Sequence, residues 1–171
     1  MSKEMKENPM RKIKIEKVVL SIGAVSPQLE KGKKLLELMT GRKAQIVASS
    51  KRIPDFGVRP GLEVGTVVTL RGKEAEEMLK RLLASIDNRI RKRQVAENHF
   101  GFGIKEYIEI PGLKYQRDIG ILGLSVDVSF IRTGLRVKRK KIKPGKVPKR
   151  QMVSKEEIIK ILEDVYQTTI K

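Results

Sequence analysis

Residues 62–72 read LEVGTVVTLRG, and their side chains fall into two sets at a period of two. Val64, Thr66, Val68 and Leu70 share one side; Val67, Thr69 and Arg71 share the other. Successive side chains of a strand point to opposite faces, so this stretch reads as an inner strand with one packed face and one face carrying a hydroxyl and a cation. A second alternating run lies at residues 13–22. Ile13 and Ile15 alternate with Lys12, Lys14 and Glu16, and Val18, Leu20 and Ile22 continue on the shifted phase. The change of phase predicts a β-bulge near Lys17. In a third run Leu124, Val126, Val128 and Phe130 alternate with Ser125, Asp127 and Ser129.

Helical spacing fills the intervals. Ser26 followed by Pro27 has the form of an N-cap with proline at the first helical position, opening a helix to about Met39, with Gly41 where a C-cap belongs. A short strand is expected over 44–48, and SSKRIPDFGVRPG at 49–61 is too rich in proline and glycine for a regular element, hence an exposed loop. Ala75, Met78, Leu79, Leu82, Leu83 and Ile86 form one apolar stripe of the strongest helix. RIRKR at 89–93 reads as the far end of that helix, and four cations in five residues exceed what dipole capping needs, which points to RNA contact by Arg91, Lys92 and Arg93.

FGFGIKEYIEI at 100–110 reads as a glycine-rich turn into a strand over 105–110. Ser154 and Glu157 have capping-box spacing, and Ile158, Ile161, Leu162 and Val165 would line one face of a last helix. These elements predict an α+β fold: an antiparallel sheet of four to five strands with helices packed on one face, plus a basic extended arm. The expected divisions are a polar tail at 1–10, an RNA-binding α+β domain at 11–135, the arm at 136–151, and a C-terminal helix at 152–171 that returns to the domain.

Composition narrows the function. The 171 residues carry 38 Lys plus Arg against 20 Asp plus Glu, a net charge of +18. That excess repels itself unless a polyanion is near, and nucleic acid is the commonest such partner, ahead of an anionic membrane. Ten of the cations lie between Arg132 and Arg150, with no acid among them. The absence of cysteine excludes disulfides, thiolate zinc sites and cysteine nucleophiles. No secretory signal or membrane-length apolar run is legible, so the expected location is cytoplasmic, without membrane association. Neither a cofactor nor a metal site is expected, and no homo-oligomer.

Catalysis has one candidate, the single histidine His99, which lacks a nucleophile or orienting partner in view. A basic ribonuclease built on it is the rival reading. The glycines of FGFGIKEY match neither the phosphate-loop pattern nor the dinucleotide fingerprint. Aromatic residues make up 4 % of the chain, too few for a base-stacking platform, so folded RNA recognised by shape, phosphate and 2′-hydroxyl is the better fit.

NPMRKIKIEKVVLSIG at 8–23, SSKRIPDFGVRPG at 49–61, VTLRG at 68–72 and FGFGIKEYIEIPGLKY at 100–115 together resemble the family of ribosomal protein five of the large subunit, in its archaeal and eukaryotic form. The resemblance runs from about Asn8 to the last helix. It implies a structural, non-catalytic protein that holds 5S ribosomal RNA in the central protuberance, beside other large-subunit ribosomal proteins, and also touches 23S ribosomal RNA. At matching positions, Lys17, Ser21, Arg42, Thr69 and Arg71 would face 5S RNA. Arg52, Phe56 and Arg59 would reach toward peptidyl-site transfer RNA, and a small-subunit head protein would be met across an intersubunit bridge. The family commonly has Asn where Ser21 stands, so one hydroxyl replaces an amide with both donor and acceptor arms. By charge, Lys138, Arg139, Lys140, Lys141 and Lys143 of the arm are further ribosomal RNA contacts.

Overall fold

The computed structural model describes residues 8–171; the first seven residues of the expected 1–10 tail lie outside the described residues. Its centre is a six-stranded antiparallel sheet in the order β2-β3-β1-β7-β6-β5. The strands are β1 (Ile13–Gly23), β2 (Gln45–Ala48), β3 (Glu63–Leu70), β5 (Val95–Ala96), β6 (His99–Ile104) and β7 (Leu124–Arg132). A separate parallel pair joins β4 (Arg89–Ile90) to β8 (Thr169–Ile170). The strand count exceeds the expected four to five because β5 is a two-residue edge strand with too little sequence to show a period.

Alternation decides which face is packed. Val18, Leu20 and Ile22 of β1, Thr66, Val68 and Leu70 of β3, Phe100, Phe102 and Ile104 of β6, and Leu124, Val126, Val128 and Phe130 of β7 are all buried. Register aligns them across the strands, with Val18 opposite both Leu70 and Val128, and Phe100 opposite Val128. Against this face lie α1 (Pro27–Thr40), α2 (Lys73–Ala84) and α4 (Lys155–Tyr166), whose buried residues join the same apolar cluster. Phe100 stacks on Phe102 and on Phe130, with ring centroids 6.0 and 5.8 Å apart. The β-bulge is present: register slips between Ile15 and Lys17, which sets Glu16 and Lys17 together opposite Ser129.

Three local devices fix the helices. Gly32 is buried in α1, where a Cβ would stand 3.2 Å from Cγ2 of Ile22 and 3.4 Å from Oγ1 of Thr66, so its bare Cα lets the helix approach the sheet. At the start of α4, Oγ of Ser154 accepts from the amide of Glu157 at 3.3 Å, and Oε2 of Glu157 accepts from the amide of Ser154 at 3.0 Å. Gly41 ends α1 in the left-handed region, its amide donating to the Glu37 carbonyl at 2.8 Å.

Several expectations are corrected. Ser26 precedes α1 but at φ 58° its side chain makes no cap hydrogen bond. RIRKR is not the end of α2, which stops at Ala84; Asp87 and Asn88, both at φ 53°, turn the chain before it. The FGFG segment is itself strand β6, while Tyr107–Glu109 is a 3-10 turn where a strand was expected over 105–110. Val165 is 60 % exposed rather than on the packed stripe of α4. Within 136–151 the chain is not extended throughout, for Arg136–Arg139 forms one helical turn, α3.

Substituting Gly32→Leu forces side-chain atoms into the α1–β1 contact and should lower unfolding stability by about 1–3 kcal/mol or more, read by chemical denaturation. Ser154→Ala removes one arm of the capping box, with an expected loss of about 0.5–2 kcal/mol in the same assay.

Candidate nucleic-acid interface

The three long helices cover one side of the sheet, and its other face can be read row by row from the register. Ser21 lies between Val67 and Ser125, with Gly103 beyond. Val19 lies between Thr69 and Asp127, with Gly101 beyond. Lys17 sits opposite Ser129, which is opposite His99, and Ala96 follows. Hydroxyls, glycines, the two valines Val19 and Val67, Lys17 and Asp127 therefore form this surface, whose rows hold no aromatic ring except the imidazole of His99. Three of the four phenylalanines are in the core instead, so bases have no stacking platform on this face.

Cations border this surface on several sides. Lys17 is partly exposed within it, and Arg71 is exposed just past the end of β3. Arg42, next to the C-cap of α1, is turned instead to the first turn of α2, where it pairs with Glu74 at 2.6 Å; both side chains are about half exposed, so the pair is worth little to stability and leaves the guanidinium accessible. Arg91, Lys92 and Arg93 are exposed on the turn between β4 and β5, which is held by the Lys92 amide donating to the Lys171 carbonyl at 2.7 Å and by the Arg91 amide donating to Oε1 of Gln94 at 2.8 Å. Arg93 thereby borders one shallow depression with Ser21, His99, Ser125 and Asp127.

The segment after β7 closes on itself. Arg132 at its start donates to the Arg150 carbonyl at 3.0 Å and pairs with Glu157, and Gln151 donates to the Thr133 carbonyl at 2.9 Å. Arg139 pairs with Glu16 at the β1 bulge, and Lys138 shares a crevice with His99 and Ser129 at that end of the open face. Lys138, Arg139, Lys140, Lys141 and Lys143 are exposed. The arm therefore leans on the open face rather than running free beside it.

The loop at 49–61 is more ordered than its composition suggests. Ile53 and Val58 exchange both backbone hydrogen bonds, at 2.9 and 3.0 Å, around a 3-10 turn at Pro54–Phe56. Gly61 donates to the Ser49 carbonyl at 2.8 Å and closes the base. The result is a braced finger with Phe56 79 % exposed near its tip and Arg52 and Arg59 exposed on its sides.

His99 is exposed, with Nδ1 3.0 Å from the Glu97 carbonyl, a contact within its own turn and not an acid-base pair. Sequence reasoning had not singled out Asn98, whose Oδ1 accepts from the Val153 amide at 2.8 Å and whose carbonyl accepts from the Phe130 amide at 2.7 Å. Residue type was its one legible signal, since asparagine tolerates the left-handed region it occupies at φ 63°. Ser125, Asp127 and Ser129 were visible as an alternating set, but only register shows them beside Ser21 and Lys17.

Family comparison agrees with this geometry. The sequence model described as "Ribosomal protein L5" matches residues 8–59, and the model for the C-terminus of the same ribosomal family matches residues 63–160. A protein named large ribosomal subunit protein uL5 from Nanoarchaeum equitans is 45 % identical over 157 residues, covering 90 % of this chain and 93 % of its own. Proteins of the same name from Sulfurisphaera tokodaii and Archaeoglobus fulgidus are each 41 % identical, covering 95 % and 93 % of this chain and 94 % and 90 % of theirs. With both halves matched and nine-tenths of the chain shared at these identities, the chain belongs to the ribosomal protein L5 family of the large ribosomal subunit, structural proteins rather than enzymes.

Proposed function

We propose that the chain seats 5S ribosomal RNA on the open face of its sheet, in the central protuberance of the large subunit of cytoplasmic ribosomes. The observation that carries this reading is the one-sided packing. A sheet whose phenylalanines and most of whose large apolar side chains turn toward the helices leaves rows on the other face in which Ser21, Thr69, Ser125 and Ser129 stand beside Val19 and Val67, with Lys17 among them and Arg71 and Arg93 at the border. Such a surface fits the wide, shallow minor groove of A-form RNA, which displays 2′-hydroxyls and is read by shape and phosphate contact. Hydroxyls donate and accept there, and the surrounding cations release counterions from the phosphates.

Three finer contacts belong to the same proposal. The finger at 49–61 carries Arg52, Phe56 and Arg59 toward transfer RNA in the peptidyl site; an exposed aromatic ring between two guanidiniums on a braced support suits stacking and phosphate contact. The cations of 136–151, together with Arg91 and Lys92, reach 23S ribosomal RNA. A contact with a protein of the small-subunit head completes an intersubunit bridge.

Titration of the purified chain with 5S RNA should give an affinity that falls steeply with salt and exceeds that for unrelated RNA of equal length. Arg71→Ala and Lys17→Ala should each reduce the salt slope by about 1, as expected for the loss of one phosphate contact. Equal affinity for any RNA would remove the specific seat. In ribosomes carrying Phe56→Ala, peptidyl-site transfer RNA should dissociate faster, by roughly 5-fold for a stack at the weak end of the usual range. An unchanged dissociation rate would take the finger out of that contact.

A further inference from the structure

Among the residues of β1, β6 and β7 there are two acids, and both belong to the face that the rest of the surface makes attractive to phosphate: Glu16 and Asp127. Glu16 is paired by Arg139 and its side chain is 14 % exposed. Asp127 is exposed and takes part in none of the ion pairs formed among the described residues. A bare carboxylate in the middle of an RNA seat repels every phosphate that comes near it, so it weakens sequence-independent binding. It favours only a ligand that presents hydrogen-bond donors at that point.

The position of the carboxylate is fixed by its neighbour. Asp127 faces Gly101 across the β6–β7 ladder, and a Cβ on Gly101 would stand 2.5 Å from Oδ1 of Asp127. The carboxylate thus lies over the bare backbone of β6, and glycine is what allows it to lie there. Ser125 and the depression that also includes Arg93 flank it. In the minor groove of a duplex the exocyclic N2 amino group of guanine is the one base donor, the other base-edge groups being acceptors. In A-form RNA that groove is shallow enough for a side chain on a flat sheet to reach.

We infer that Asp127, held over Gly101, is a specificity-determining residue that accepts a hydrogen bond from the N2 amino group of a guanine in the minor groove of the bound RNA. This rests on the open face being the seat of 5S RNA. The surrounding hydroxyls and cations then position the helix, and Asp127 selects the register in which a guanine comes beneath it.

The test uses the full chain and 5S RNA transcripts in which inosine, which lacks the N2 amino group, replaces one at a time the guanines that the protein protects. For the wild-type protein one such replacement should weaken binding roughly 5- to 150-fold, the range of a single good base contact. Asp127→Ala should weaken binding to unmodified RNA by a similar factor, with no further loss from the same inosine. Gly101→Ala, which keeps the charge but displaces it, should lose the same discrimination. Because the inosine effect is measured on unaltered protein, it does not depend on how either variant folds. The inference is overturned if no protected guanine is sensitive, as for a carboxylate that meets the RNA only through a cation. It is equally overturned if 2′-deoxy substitution rather than inosine produces the loss, or if Asp127→Ala binds all RNA as tightly as before or tighter. Should the wild-type protein fail to prefer 5S RNA over unrelated RNA, the seat itself is wrong; a retained preference with no inosine effect removes only the role of Asp127.

Discussion

The three long helices α1, α2 and α4 pack on one face of the sheet, while among the described residues only the arm with its short turn α3 leans on the bulged end of the other, and the remaining features of the molecule follow from that asymmetry. Val18, Leu20, Val126, Val128, Phe100 and Leu70 are each at most 1 % exposed, and together with Leu35, Leu79, Leu82, Ile158 and Leu162 they form one continuous core. Each such side chain contributes roughly 1.5–3 kcal/mol by leaving water. With the core closed on that side, a strand has no energetic reason to carry large apolar groups on its other side. The open face is free to hold serine, threonine, glycine and lysine, and a pleated sheet presents them in rows of fixed spacing.

Charge converts that surface into a binding face. The net excess of +18 would be unfavourable for a solitary compact protein; none of the described cations is buried in the core, and Lys17, Arg71, Arg93 and Lys138 lie on or beside the open rows. Long-range contacts do this placement. The Lys92 amide bonded to the last residue brings the 89–93 cations to the β5 edge, and Arg132, bonded to Arg150 and paired with Glu157, closes the loop of the arm. The Glu16–Arg139 pair then leans that arm against the bulge in β1.

Much of this was legible in the sequence because the packed face imposes a period of two. β1 with its bulge, β3 and β7 were readable in that way, as were α2 from its apolar stripe and the capping box of α4. The failures have physical causes. In β6 the open-face positions are His99, Gly101 and Gly103, so glycine chosen for close approach looked like glycine chosen for a turn. α2 was read too long because charge suggested a helix end where Asp87 and Asn88 reverse the chain. The two-residue pair of β4 with β8 joins segments about half the chain apart and has no local signature. At the interface, alternation separated Ser125, Asp127 and Ser129 from the core, whereas their adjacency to Ser21, Lys17 and Gly101 exists only through register.

The valines offer the most direct measurement of the central claim, because adjacent ones in the same strands face opposite ways: Val19 and Val67 on the open face, Val18, Val68, Val126 and Val128 in the core. With methyl-labelled protein, adding 5S RNA should shift or broaden the Val19 and Val67 resonances while those of the core valines and of Leu38 and Val165 on the helical side stay in place. Perturbation of the helix-side methyls, with Val19 and Val67 unmoved, would contradict the account.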